Sequence, residues 1–162
     1  MEIEQPKEYL RIEKWTRILH QEDAYMRCVA ADQLGEIGDS TSVPHLIEEM
    51  LKGGVDVAIA CVRALGQIGS KEAVPALIHL LGSTEDGELQ TALLKSLGLL
   101  EDARAVPTII QVVRVYRQAR ALYPLQAVGL AHESVTYTTA INALKRIGTP
   151  EALAAADSWA TV

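Results

Sequence analysis

The feature that most constrains the fold of this chain is a phrase that it contains twice. Residues 34–51 read LGEIGDSTSVPHLIEEML, and residues 65–81 read LGQIGSKEAVPALIHLL. A third copy begins at Leu97, and a fourth, more divergent copy begins at Leu144. A period near 31 residues is typical of repeat proteins, in which each unit leaves an apolar face that only its neighbour can cover. The sequence therefore predicts a stack of similar units.

The copies agree column by column. In three of them the anchor leucine is followed by a glycine, and a proline lies ten residues after the leucine. These positions are Leu34, Gly35 and Pro44; Leu65, Gly66 and Pro75; and Leu97, Gly98 and Pro107. The fourth copy departs twice, because Lys145 replaces the glycine and Ala154 replaces the proline.

Each copy predicts a pair of helices, which we call helix A and helix B. Before each anchor, apolar residues recur every three or four positions, and in the second copy they are Ala60, Cys61, Ala64, Leu65 and Ile68. Gly38, Gly69 and Gly148 occupy the left-handed position that ends helix A, followed by the capping residues Asp39, Ser40, Ser70, Asp102 and Thr149. Glu101 replaces this glycine in the third copy, so that turn should differ or be slightly strained. Helix B follows, with its proline in the first turn.

The glycine of the Leu-Gly pair has two interpretations. Within a helix it costs about 1 kcal/mol relative to alanine. That cost is tolerable if the missing side chain lets helix B approach closely. Alternatively, the glycine ends helix A early.

Composition supports an all-helical chain without a membrane or nucleic-acid partner. Apolar residues make up 49% of the sequence, aromatic residues only 4%, and there is no Phe. A net charge of −6 disfavours general binding to nucleic acid or to anionic membranes. The charged N-terminal residues predict no signal peptide, and no long window is uniformly apolar. We expect a cytoplasmic protein.

The pattern LGxIG…AVPxLIxLL resembles HEAT repeats, in particular the phycobilisome-lyase-type (PBS lyase) HEAT-like repeat. The first-copy residues that match are Leu34, Gly35, Ile37, Gly38, Val43, Pro44, Leu46 and Ile47. The resemblance implies one domain, a right-handed α-solenoid of about four helix pairs. We place the pairs at about residues 22–52, 55–82, 86–121 and 134–161. In resembling proteins helix B lines the concave binding surface, and the family includes bilin-attachment factors, phycobilisome-turnover factors and scaffolds.

The ends and one insertion break the repeat. Residues at about 6–20 predict an amphipathic capping helix whose apolar face contains Tyr9, Ile12, Trp15, Ile18 and Leu19. Trp159 either caps the other end or contacts a partner. Residues at about 116–133 are inserted between the third and fourth copies, where Pro124 and Gly129 disfavour a continuous helix. This insertion is either functional or a kinked joint.

The outward side of helix B supplies the candidate partner-binding residues. Val43, Leu46, Ile47 and Met50 form the inner stripe of the first helix B. The outward positions of the three helices are His45, Glu48, Glu49 and Lys52; Ala76 and His79; and Thr108, Gln111, Arg114 and Arg117. We expect them to align in columns such as His45–Ala76–Thr108. The alternative is a solvated face without a ligand.

Charge is distributed unevenly along the chain. Residues 21–54 contain seven acids and two bases, whereas residues 104–132 contain four arginines and no acid. Arg114, Arg117 and Arg120 are spaced by three and form one stripe on a helix. This stripe is either a solvated face or a ridge that binds an acidic protein surface.

The sequence gives little indication of an enzyme. His45, Glu48 and His79 would be a conceivable metal site across two helices, but the signal is weak and we expect no metal or cofactor. His132 and Glu133 form a single His-Glu pair outside the repeat register, too little for the iron hydroxylases with this repeat. Cys28 and Cys61 lie within helix A and are expected to be buried.

We therefore predict a non-enzymatic scaffold that binds another protein through the helix-B face. A bilin lyase subunit, or a phycobilisome assembly or degradation factor, is the alternative implied by the resemblance, with a bilin or phycobiliprotein as partner. A metal-dependent enzyme is the third hypothesis.

Overall fold

The computed structural model describes residues 7–20, 23–122 and 131–160, and their regular structure is entirely helical. The described α-helices are α1 (Lys7–Leu19), α2 (Ala24–Ile37), α3 (Val43–Lys52), α4 (Val55–Ile68), α5 (Val74–Ser83), α6 (Gly87–Leu100), α7 (Val106–Leu122), α8 (Ala131–Ile147) and α9 (Pro150–Ala160). A short 3-10 turn precedes α3, α5 and α7. Of these helices, none has the length and apolar content needed to cross a bilayer.

The helices follow the predicted order of a cap and four A/B pairs. The pairs are α2 with α3, α4 with α5, α6 with α7, and α8 with α9. Helix α7 runs on to Leu122, which confirms the long third helix B. Helix α8 begins at Ala131, so the fourth helix A includes residues that we had assigned to the insertion. Pro124 and Gly129 lie outside the described residues.

The chain divides into two compact units, Met1–Ala73 and Val74–Val162, with the division inside the second repeat. In the first unit, α1 packs mainly on α2, and α2 packs on α4. In the second unit, α6 packs on α8, and α8 also contacts α7 and α9. The anchor leucines of all four copies are fully buried, as the repeat predicts: Leu34, Leu65, Leu97 and Leu144.

The four A helices end in the same way. Gly38 and Gly69 have φ of 76°, and Gly148 has φ of 70°. Each donates its backbone N–H to the carbonyl of its own anchor leucine. Glu101 occupies the same left-handed region, with φ 49° and ψ 44°. The third turn therefore keeps the common conformation, and its strain lies in one non-glycine residue.

Replacing Glu101 by glycine is expected to stabilise the second unit by about 1 kcal/mol, because the left-handed conformation costs glycine nothing. The side chain that is lost contributes little, since its contact with Arg146 is 3.4 Å long and both groups are exposed. Urea denaturation measures the effect. The opposite kind of change at the equivalent turn of the fourth repeat, Gly148→Ala, should destabilise the second unit by a similar amount. A Glu101→Gly variant less stable than the parent would contradict this account of the turn.

The glycine after the anchor leucine serves a contact that the sequence did not predict. A Cβ on Gly35 would lie 2.9 Å from the Cα of Ala64, which belongs to α4, the next helix A. A Cβ on Gly98 would lie 3.1 Å from the Cα of Ala143 in α8, again the next helix A. The close approach is thus between successive A helices, and the predicted approach of helix B is wrong. The alternative of an early end is wrong too, because α2 continues to Ile37 and α6 to Leu100.

Substituting alanine at these glycines is expected to show which contact is tighter. Gly35→Ala should destabilise by about 1–2 kcal/mol, because overpacking against backbone outweighs the gain of about 1 kcal/mol in helix propensity. Gly98→Ala should lose less, since its nearest contacts are slightly longer. Gly82→Ala is the control, because a Cβ there meets nothing within 4 Å. Thermal unfolding of the three variants tests the order, and a stabilised Gly35→Ala would refute it.

The predicted apolar face of the capping helix is buried only in part. Leu19 is fully buried, and Ile12, Trp15 and Ile18 are half-buried. Tyr9 remains half exposed, so the predicted apolar face is not covered at its N-terminal end. At the other end of the chain, Trp159 is half-buried, and its backbone carbonyl accepts a hydrogen bond from the Tyr137 hydroxyl at 2.9 Å.

Candidate binding site

The outward side of α3 agrees with the prediction except at one residue. Val43, Leu46 and Met50 are buried, Ile47 is half-buried, Glu48 and Lys52 are exposed, and His45 is half-buried. Glu49 was predicted to face outward, but it is 5% exposed. The reason is that this side of α3 meets other parts of the first unit. Glu49 lies between Arg27 of α2 and His20, the residue after α1.

In the second unit the predicted residues of α5 and α7 reach the surface to different degrees. His79, Gln111, Arg114 and Arg117 are exposed, whereas Ala76 and Thr108 are half-buried. The side chain of Arg120 lies outside the described residues, so the stripe is observed at two of its three members. The columns that join α3 to α5 and α7 stay a prediction.

The main candidate site is a groove between α7 and α9, which are the third and fourth B helices. Its volume is about 640 Å³. Arg114, Arg117 and Gln118 of α7 line one side, and Glu151 and Trp159 of α9 line the other. Among the described residues, neither guanidinium has an ionic partner within 4 Å. Within this part of the chain, the groove therefore presents two unpaired guanidinium groups beside Trp159, with Glu151 on the opposite side.

A second group of polar residues lies in the first unit, around a cleft of about 400 Å³. His20 Nδ1 is 3.0 Å from Glu49 Oε1, and His20 Nε2 is 3.2 Å from His45 Nδ1. The ring centroids of the two histidines are 5.4 Å apart, and the rings meet edge to face. Glu48 is next to both histidines and forms an ion pair with Lys52. Sequence reasoning named His45 and Glu48 but missed His20, because only the packing of α1 brings it there.

The cysteines offer no nucleophile at neutral pH. Cys61 is fully buried, as predicted, and burial raises its pKa to about 12. Cys28 is half-buried, and its pKa is also raised, first by burial and then by the nearby carboxylates of Asp56 and Asp32. Only the thiolate reacts as a nucleophile. The side chains of His132 and Glu133 lie outside the described residues.

Comparison with known proteins agrees with the repeat pattern. A family model for HEAT repeats matches residues 43–122, and a model for the PBS lyase HEAT-like repeat matches residues 26–50. The chain is a HEAT-repeat protein. No functionally curated protein has a significantly similar sequence.

Among solved structures, the chain is similar to one determined for the complex of CpcE and CpcF of phycocyanin lyase from Nostoc sp. PCC7120. The TM-score is 0.70 and the sequence identity is 27%. The alignment covers 94% of this chain and 63% of the other, so this chain spans less than two thirds of its length.

Proposed function

We propose that this protein is a non-enzymatic scaffold that binds another protein through its helix-B face. The observation that carries the proposal is the groove between α7 and α9, where Arg114 and Arg117 lie beside Trp159 and have no ionic partner within the described part of the chain. Arginine and tryptophan are the residue types that contribute most at protein interfaces. A guanidinium that has no acid of its own is available for a carboxylate of the partner. The partner surface that fits this groove therefore has its acidic groups opposite Arg114 and Arg117, away from Glu151 on the other side of the groove.

The other positions of the predicted face that are exposed or half-buried would extend the contact beyond the groove. Thr108 and Gln111 precede the arginines on α7, and His79 lies on α5. In the first unit, His45 and Glu48 would contribute. Glu49 is excluded from the proposed interface, because it is buried within the unit.

Reversing the charge of both groove arginines is expected to weaken partner binding strongly. The double variant Arg114→Glu/Arg117→Glu should lose about 3 kcal/mol of binding free energy, roughly a hundredfold in affinity, because attraction becomes repulsion. The matched control is Lys95→Glu/Lys145→Glu, which changes the net charge equally on exposed positions of A helices. Calorimetric titration with the captured partner measures both. Equal affinity of the two double variants would refute this binding face.

The second candidate function is that of a subunit of a bilin lyase, or a factor that handles phycobiliproteins. It is supported by the similarity to the phycocyanin lyase structure and by the PBS lyase HEAT-like repeat at residues 26–50. A volume of about 640 Å³ is within the range of small-molecule sites. The two guanidinium groups could pair with the two propionates of an open-chain tetrapyrrole, and Trp159 could stack on its rings.

Mixing the purified protein with a free bilin tests this candidate. Binding should shift and sharpen the visible absorption of the pigment, and Trp159→Ala should weaken the change. An unaltered spectrum at saturating protein would remove the bilin from consideration and leave the protein-binding scaffold.

A further inference from the structure

We propose that His20, His45 and Glu48 form a binding site for a divalent transition-metal ion, for which Zn²⁺ is the best match. The site is in the first unit, whereas the groove that carries the proposed function is in the second. His45 and Glu48 would also extend the protein contact, but neither of them lines the groove, so the metal site stands on different observations. The metal would join the residue after α1 to two residues of α3. Its role would be to fix the capping helix on the first repeat.

The positions of the three donors carry the inference. One ligand atom from each of His20, His45 and Glu48 can be chosen so that all three lie within 4.8 Å of one another. Two nitrogens bound to tetrahedral Zn²⁺ at about 2.0–2.1 Å are separated by about 3.3 Å. His20 Nε2 and His45 Nδ1 are 3.2 Å apart. The two rings thus present their nitrogens at the spacing that one shared ion requires.

The donor types also fit. Two imidazoles and one carboxylate make up a protein set that Zn²⁺ uses where a fourth position stays open to water. The cleft in front of the histidines, lined also by Tyr9, Thr16 and Thr41, has room for that water. The carboxylate of Glu48 is accessible to an incoming ion, because its side chain is 47% exposed. Metal binding would require Glu48 to turn from Lys52 towards the histidines.

The surroundings of His20 resemble the support that metal-binding histidines usually have. Such a histidine donates its other ring N–H to a carboxylate, which sets the tautomer and the direction of the ring. His20 Nδ1 lies 3.0 Å from Glu49 Oε1. When Nδ1–H donates a hydrogen bond to Glu49, Nε2 carries the lone pair that can bind the metal. Glu49 is itself held by Arg27, with 3.6 Å between Arg27 Nη1 and Glu49 Oε2. A buried carboxylate that orients an accessible histidine is thus explained by the metal site.

A direct hydrogen bond between the two histidines would also give a separation of 3.2 Å, and titration with metal distinguishes the two. Untagged protein freed of metal by chelator would be titrated with Co²⁺, whose visible absorption reports the geometry and number of ligands, and then with Zn²⁺ in competition. We expect one ion per chain, an intense spectrum typical of four-coordination, and a rise in the melting temperature with Zn²⁺.

The variants separate a built site from surface binding. His45→Ala should reduce the affinity for Zn²⁺ more than about a hundredfold, above the 10–100-fold typical of losing a supporting residue, and should cancel the rise in melting temperature. Glu48→Gln keeps the size of an exposed side chain, so it tests the carboxylate even where His45→Ala folds poorly. His79→Ala is the matched control and should bind Zn²⁺ with the affinity of the parent, because His79 is not one of the three donors. Absence of binding at millimolar metal, or equal affinity in all variants, which would mean an adventitious ion only, would overturn the proposal.

Discussion

Replacing Arg27 by alanine is expected to destabilise the first unit by about 3 kcal/mol. Arg27 is the cation beside Glu49, whose side chain is 7% exposed. Removing one partner of a buried ion pair leaves an uncompensated charge, and such changes typically cost 3–5 kcal/mol. The lower end is appropriate here, because Arg27 is 20% exposed and His20 also contacts the carboxylate. Hydrogen exchange resolved by peptide would show the loss of protection in residues 23–73.

A double variant tests the reason for that loss. Arg27→Met/Glu49→Leu removes both charges while keeping comparable volume, and pairs of this kind are often as stable as the parent. It should therefore recover most of the stability that Arg27→Ala loses. If Arg27→Ala stays within about 0.5 kcal/mol of the parent, the carboxylate of Glu49 is not held by this arginine.

Truncating the third anchor leucine is expected to have a comparable effect on the second unit. Leu97 is fully buried, and Leu→Ala at such positions costs about 2–5 kcal/mol, through lost burial and the cavity that remains. Leu99, on the same helix, is 46% exposed. Leu99→Ala removes the same atoms and should cost less than about 1 kcal/mol, because nearly half of its surface already contacts water and no closed cavity would form.

Chemical denaturation of the two leucine variants measures this difference. The ratio of the two effects tests the repeat assignment directly, since both substitutions are identical in chemistry and lie two residues apart. Similar losses at Leu97 and Leu99 would mean that the anchor column does not form the core.

The repeat predicted the fold because its signal lies in short-range spacing. Helical period, the left-handed glycine and the proline of the first turn are local features, and each anchor leucine was found buried. The contact made by Gly35 could not be read in the same way. A glycine indicates a close approach to another segment. Which helix approaches depends on how successive repeats pack, and for Gly35 it is the next helix A.

The candidate site was predictable in part for a similar reason. Spacing by three placed Arg114 and Arg117 on one face of a helix, and both are exposed. Trp159 of the fourth repeat reaches the same groove only because α9 lies beside α7. The burial of Glu49 was missed because helical periodicity distinguishes only the apolar side of α3 from its polar side. The segment that ends in His20 covers part of the polar side. His20 was missed for the same reason, because its role depends on a contact between segments 25 and 29 residues apart.

The central claim is that the groove between α7 and α9 contacts a protein partner. Its most direct test is photo-crosslinking in cells of the native host, with a benzophenone amino acid placed at Gln118 inside the groove or at Lys95 on the A-helix face. We expect a discrete covalent adduct with an acidic protein from position 118, its loss in the Arg114→Glu/Arg117→Glu background, and none from position 95. Adducts of equal yield from both positions, or an adduct at position 118 that survives the charge reversal, would contradict the claim.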